Sequence, residues 1–288
     1  MRKKDDKRMT DITAIILTKN EEANLERCIC SVSKLADRVV VVDSGSTDRT
    51  VSIAKTLGAE IYTHPFKHYA DQFNWALDHA DVKTRWVYRI DADEEVPDAL
   101  REEILTQCAA HMEDDVNGFL MKHRLHFLGR DLMHGGAYPF IKMTIFKFGI
   151  GRFEDRAMGE HVVLSEGRSV MLEQDCIHHD FKSLSAFVDK HNSYATREVA
   201  DYIERTKIQQ AKLYNRAEQT KKLRDGIYYR LPLFLRAKLY YIYRYYFRLG
   251  FLDGTPGKIY AMLQAYFYRY LVDAKIYELS VDKSEASN

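Results

Sequence analysis

Glycine-rich phosphate loops are missing from this chain. No Gly-x-Gly-x-x-Gly follows its first apolar run, and no Gly-x-x-x-x-Gly-Lys-Ser/Thr occurs in its 288 residues. Dinucleotide oxidoreductases and P-loop enzymes are therefore disfavoured, because both grip phosphate through such turns. Cysteine is scarce as well. Cys28, Cys30, Cys108 and Cys176 are too few and too scattered for a disulfide framework, and Cys28-x-Cys30 lacks the two-residue spacer of a zinc or redox pair. They are expected to be reduced, mostly buried thiols of a cytosolic protein. Net charge is nearly absent: 43 basic and 42 acidic residues leave +1, which gives no global case for nucleic acid. Long apolar runs are missing too. No stretch of more than ten residues lacks Asp, Glu, Lys and Arg, whereas a bilayer-spanning helix needs about twenty apolar residues. The charged start Met1–Lys7 leads into a short apolar run that ends in Thr-Lys-Asn-Glu-Glu, which is no signal-peptide cleavage site.

Apolar residues make up 46% and charged residues 30%, so the chain can bury a core in one large domain or two small ones. Its first hundred residues alternate apolar runs with helical patterns. Ile12–Thr18, Arg38–Asp43, Glu60–Thr63 and Arg85–Asp91 read as strands. The first two are continuous and β-branched, as strands covered on both faces should be. Glu21–Leu35, a segment from Ser46 to Leu57, Tyr69–His79 and Pro97–Cys108 read as helices. Ser46, Thr47 or Asp48 caps the second, and Gly58 closes it. This alternation predicts a parallel sheet with right-handed crossovers, which binds ligands beyond the carboxyl ends of its strands.

Further on, Gly118–Phe127, Ile141–Phe148, Glu160–Leu164 and Ser169–Ile177 read as strands of an antiparallel extension. From Leu184 to about Tyr277 the pattern is helical, with breaks. Residues 221–278 hold 12 of the 19 tyrosines and carry +7, while residues 1–220 carry −5. The near-neutral total conceals an acidic head and a basic, aromatic tail.

Polar residues gather at the expected strand ends. Asp91-Ala92-Asp93-Glu94-Glu95 packs carboxylates that repel one another unless a cation sits among them. An Asp-x-Asp there offers oxygen ligands to a divalent ion, which in turn holds a diphosphate. The competing reading is a solvated acidic turn, and Glu94 and Glu95 suit it. Asp43 ends the valine run before Ser44-Gly45-Ser46-Thr47-Asp48 and is placed to accept hydrogen bonds from a base or ribose in the same crevice as Asp91.

These residues resemble a known family. Ile12–Glu22 (ITAIILTKNEE), Val39–Asp48 (VVVVDSGSTD), Asp71–Ala76 (DQFNWA) and Arg89–Glu94 (RIDADE) look like family 2 glycosyltransferases of the GT-A fold. Gly151–Val162, Ile177–Leu184 and Lys190–Ala195 resemble the subgroup that contains the lipopolysaccharide-core β-1,4-glucosyltransferases. The resemblance implies that Thr18, Asn20 and Glu21 line a nucleotide pocket. It further implies that Asp43 contacts the uracil or ribose, that Gln72 and Asn74 face the nucleotide, and that Asp91 lies near the ribose. Asp93 is then the direct ligand of a divalent cation (Mg2+ or Mn2+), and His178 completes the metal or diphosphate shell. The general base is expected at Glu160, with Asp155 as the second candidate. Relatives carry His-Glu where this chain has Gly159-Glu160.

The expected architecture is a mixed α/β, GT-A, Rossmann-like sheet, mostly parallel and flanked by helices, with an antiparallel extension and a helical C-terminal region. A flexible basic leader covers 1–9, the catalytic domain 10–205, the basic, tyrosine-rich region 206–278 and a flexible tail 279–288. The expected activity is metal-dependent inverting transfer of a glucose-like hexose from a UDP-sugar to a cell-envelope glycan or lipid-linked acceptor such as lipopolysaccharide core. The expected location is peripheral, on the cytoplasmic face of a bacterial inner membrane, with the tail against an anionic lipid surface or a second copy of the chain. Two other classes compete. A sugar nucleotidyltransferase would need a glycine-rich, arginine-containing loop where Thr18-Lys19-Asn20-Glu21 stands. A sugar-nucleotide-binding membrane adaptor would not turn over.

Overall fold

The computed structural model describes residues 10–154, 161–179, 183–209, 228 and 231–285. The chain divides into two compact units, 1–126 with 138–180 and 127–137 with 181–288. In the first unit, β1 (Ile12–Thr18), α1 (Leu25–Val32), β2 (Arg38–Asp43), α2 (Thr50–Thr56), β3 (Glu60–Thr63), α3 (Tyr69–His79) and β4 (Trp86–Asp91) alternate as the sequence predicts. A two-residue strand β5 (Glu94–Glu95), α4 (Asp98–Ala110) and β6 (Val116–Phe127) follow. Short β7 (Arg130–Leu132) belongs to the second unit; β8 (Phe140–Lys147), β9 (Gly151–Phe153), β10 (Val162–Leu164) and β11 (Arg168–His178) return to the first.

The main sheet runs in the order β3-β2-β1-β4-β8-β6-β11-β5. The first four strands are mutually parallel. Strand β8 is antiparallel to both β4 and β6, and β11 is parallel to β6. Strands β1, β2, β4, β6 and β11 therefore all point their carboxyl ends to one edge. Both faces of the sheet are covered. Ile12, Ala14, Ile16 and Val41 pack with α1 and α4 on one side. Ile15, Val40 and Val42 pack with Phe73, Ala76 and Leu77 of α3 on the other. This is why the two strands read as unbroken apolar runs.

The second helix differs from expectation. It begins at Thr50, its N-cap position is Arg49, and neither Ser46 nor Thr47 caps it. Asp48 instead accepts from the Thr50 amide at 2.9 Å, and Ser46 is drawn into the neighbouring loop by a bond from the Asn20 amide. The first helix is likewise shortened, because Asn24 and Leu25 turn back onto the Glu21 carbonyl. Gly58 closes α2 as predicted, with φ +76° and amide bonds from Gly58 to Lys55 and from Ala59 to Ala54. All four cysteines are free, and Cys30 alone of them is exposed.

In the second unit, α5 (Leu184–Gln209) packs Ala195 and Val199 against Tyr268 and Val272 of the last helix, α8 (Tyr268–Glu285). Between them lie α6 (Leu235–Ile242), a π-turn at Tyr243–Phe247, a 3-10 turn at Gly250–Asp253, α7 (Gly254–Tyr260) and a second π-turn at Ala261–Phe267. Arg236 and Asp273 form a fully buried ion pair here, and Asp273 also accepts from the Phe234 amide at 2.7 Å. Among the described residues, no helix is long and apolar enough to cross a membrane.

Candidate active site

The sheet registers carry the candidate residues to one edge. Thr18 pairs with Asp43 and Leu17 with Asp91; His178 ends β11 at the same edge and sits opposite Glu94 of β5. Alternation places the Asp43 side chain on the face of Thr18 and that of Asp91 on the face of Leu17. The two carboxylates thus leave the edge on opposite sides of the sheet, and no hydrogen bond links them.

Asp43 is 3% exposed and organises the loop after β2. One of its oxygens accepts from the Thr18 and Ser46 hydroxyls, and the other from the Gly45 and Ser46 amides at 2.9 Å each. Gly45 has φ +82°, which a side chain would strain. Asn20, at φ +55°, accepts from the Thr47 amide at 2.8 Å, and the Glu21 amide donates to Thr50 Oγ1 at 2.7 Å. The loops after β1 and β2 are therefore laced into one surface. Gln72, fully buried on α3, donates to Ser44 Oγ and to the His64 carbonyl. Its Oε1 has no partner among the described residues, an unusual state for a buried acceptor. The Asn74 amide group makes two bonds to the Phe153 backbone and ties α3 to β9.

The Asp-x-Asp sits on a dense ion-pair network. Asp91 accepts from Tyr69 Oη at 2.8 Å, from the buried Arg89 guanidinium at 3.1 Å and from Lys142 Nζ at 2.9 Å. Lys142 also donates to Glu94 at 2.7 Å. Glu94 is 1% exposed, which corrects its reading as a solvated turn residue. Burial would raise its pKa, but Lys142 and His123 hold the carboxyl well below the ordinary range. Burial would lower Lys142, and Asp91 and Glu94 raise it instead. The cations that quiet this acidic cluster are thus side chains. Arg89 advertised itself as a charge inside a buried strand. Lys142, 51 residues beyond Asp91 and on an antiparallel strand, gave no local signal.

Asp93 is the second acid of the motif. Its carboxylate faces His178 Nε2 at 3.2 Å, and the two side chains are 18% and 19% exposed. Burial would lower the His178 pKa, but Asp93 raises it to about 9. Beside this pair, the Asp93 carbonyl accepts from the His179 amide at 2.7 Å, and the His179 ring meets Glu95 at 2.8 Å. A carboxylate oxygen and an imidazole nitrogen converge at a solvent-reachable point; the carboxylate suits a divalent cation such as Mg2+ or Mn2+, and His178 could join it as a ligand on giving up the proton that Asp93 favours. A second group, Glu94, His123 and Cys176, also brings three ligating atoms within 4.8 Å of one another. It fits a metal poorly: it is fully buried, the Lys142 ammonium already occupies Glu94, and burial with Glu94 nearby pushes the Cys176 thiol well up. Glu160 and Asp155, the two candidate bases, lie outside the described residues.

Comparison with known proteins identifies the family. The sequence profile of Glycosyl transferase family 2 matches residues 13–159. An uncharacterised glycosyltransferase of Rickettsia typhi is 31% identical over 281 residues, covering 95% of this chain and 89% of the relative. The lipopolysaccharide core biosynthesis glycosyltransferase LpsC of Rhizobium meliloti is 28% identical, covering 93% of this chain and 92% of the relative. A solved glucosyl-3-phosphoglycerate synthase from Mycobacterium tuberculosis, in complex with Mn2+, UDP and glucosyl-3-phosphoglycerate, overlaps 40% of this chain and 44% of its own. Its identity is 25% and its TM-score 0.33, too slight an overlap to argue from. By the matched profile and the relatives that span nearly its whole length, the chain belongs to glycosyl transferase family 2 and is a glycosyltransferase.

Proposed function

We propose that this transferase moves a glucose-like hexose from a UDP-sugar to a cell-envelope acceptor, with lipopolysaccharide core as the favoured one, by an inverting, cation-dependent displacement at the cytoplasmic face of a membrane. The observation that supports it most is the Asp93–His178 pair at the carboxyl edge of the sheet, where parallel α/β sheets take their ligands. The Rhizobium relative, named for lipopolysaccharide core biosynthesis, supports the acceptor.

In this reading Thr18, Asn20, Glu21 and Asp43 shape the nucleotide side of the pocket, and Gln72 Oε1 offers a buried acceptor to it. Asp93 and His178 hold a divalent cation, which when bound neutralises charge on the diphosphate leaving group. Arg89, Tyr69 and Lys142 fix Asp91 in one rotamer, so that it presents a set geometry to the donor. Glu160 takes the proton from the acceptor hydroxyl as that oxygen bonds to the anomeric carbon. The carbon–oxygen bond to the diphosphate breaks on the opposite side, its electron pair leaves with UDP, and the configuration inverts. Such a base contributes on the order of 10²–10⁴-fold.

The test is incubation of the full chain with UDP-hexoses, Mg2+ or Mn2+ and delipidated lipopolysaccharide core, with UDP release and the anomeric configuration of the product read by NMR. Acceptor-dependent UDP release with a β-linked product from an α-linked donor is expected. Release of pyrophosphate from a sugar phosphate and UTP, without transfer from any UDP-hexose, would overturn the reading in favour of a nucleotidyltransferase.

A further inference from the structure

The segment from Leu231 to Val272 is built inside out for a water-facing surface. On α6 and the π-turn after it, Leu235, Leu239, Tyr243, Tyr246 and Phe247 recur at helical spacing and are all exposed, Phe247 by 75%. Two of the three charged residues of the same stretch face inward: Arg236 is buried on Asp273, and Arg244 is buried with its Nε donating to the Gly135 carbonyl, while Lys238 is exposed. An ordinary surface helix shows the opposite arrangement. The turn that follows continues the pattern. Leu249 stands exposed at φ +59°, a left-handed conformation unfavourable for leucine, and Phe251 and Leu252 beside it are also exposed.

Charge selects the occupant of this face. Between Leu231 and Val272 the exposed charges are Lys238, Arg248 and Lys258. The one carboxylate in the stretch, Asp253, is buried against His134 at 2.7 Å. A second copy docked through the same face would bring the same cations into contact with themselves. A bilayer rich in anionic lipid would meet them with phosphates and accept the aromatic rings at its headgroup boundary.

We propose that Tyr243–Leu252 is the membrane-docking edge of the protein: Tyr246, Phe247, Phe251 and Leu252 insert shallowly into an anionic leaflet, while Lys238, Arg248 and Lys258 contact its headgroups. The inference deepens the proposed membrane location and rests on it, while it is independent of the transfer chemistry.

The experiment is co-sedimentation of the full chain with vesicles of phosphatidylcholine alone or with about a third phosphatidylglycerol, whose negative surface potential attracts Lys and Arg. Wild type is expected to bind the anionic vesicles, and more weakly as salt rises. Phe247→Ser with Leu252→Ser should weaken binding by at least about tenfold, from the lost apolar insertion. Arg248→Gln should weaken it about fivefold. All these side chains are exposed, so the unfolding midpoint should hold. If wild type binds no vesicles, both the surface and the membrane location fall. If wild type and the double variant bind equally, this surface alone falls. A wild-type dimer that the double variant converts to monomer, with vesicle binding unchanged, would reassign the face to a second copy. Transfer to the delipidated acceptor should be the same in wild type and variants, so a failure of docking is distinguishable from a failure of the enzymatic reading.

Discussion

At the carboxyl edge of the sheet, charge is buried and apolar surface is hidden. Arg89, Lys142, Asp91 and Glu94 neutralise one another at 2.7–3.1 Å, and Asp91 and the Asp93–His178 pair reach solvent at their rim. In the Leu231–Val272 stretch, apolar side chains stand exposed and the one carboxylate, Asp253, is hidden. Each region departs from the soluble norm, in opposite directions. Buried charge is costly unless paired, and in the proposed function the dense network beneath the partly exposed acid–imidazole pair holds geometry for the donor. Exposed aromatics beside cations mark a place where an apolar, anionic surface is expected.

The comparison can be sharpened by substitution. The largest effect should come at the chemistry. Glu160→Gln is expected to cut transfer by about 10²–10⁴-fold while calorimetry shows donor binding intact, and Asp155→Asn should do much less. The reverse ranking would move the base to Asp155. Next come the buried pairs. Lys142→Met strands Glu94 in the core and should cost about 3–5 kcal/mol in urea unfolding. Asp273→Ala strands Arg236 in the other unit and should cost a similar amount. Near-neutral results would show that neither network is held as tightly as its geometry indicates. Asn74→Ala breaks two bonds to the Phe153 backbone and should cost about 1–3 kcal/mol. Smallest of all, Phe247→Ser should change stability by less than about 0.5 kcal/mol. A large loss there would mean that the ring supports the fold and does not await a partner.

Much of the fold was legible because its signals are local. The unbroken runs Ile12–Thr18 and Arg38–Asp43 are covered on both faces, and Gly58 stops its helix with the left-handed turn that glycine makes easily. The strand-end polar clusters were legible for the same reason, since a parallel sheet sends every such end to one edge. What escaped was set by distance along the chain. Glu94 looks like a surface acid until Lys142 and His123 arrive from β8 and β6. Ser46 looks like a helix cap until the Asn20 amide, from the loop after β1, claims its hydroxyl. Asn74 sits in a motif that faces the nucleotide by resemblance, and its two bonds to the Phe153 backbone, 79 residues on, have no local signal. The π-turns at Tyr243–Phe247 and Ala261–Phe267 carry no local breaker, and their helical spacing alone reads as continuous α-helix.

The central claim is that Asp93 and His178 hold the cation through which the donor's diphosphate is gripped. Calorimetric titration of UDP into the full chain, with Mn2+ and with EDTA, tests it most directly when wild type is compared with Asp93→Ala. UDP binding that needs Mn2+ in wild type, and loses that dependence in a fully folded Asp93→Ala, is the predicted result. Equal UDP affinity in wild type with and without Mn2+ would contradict it.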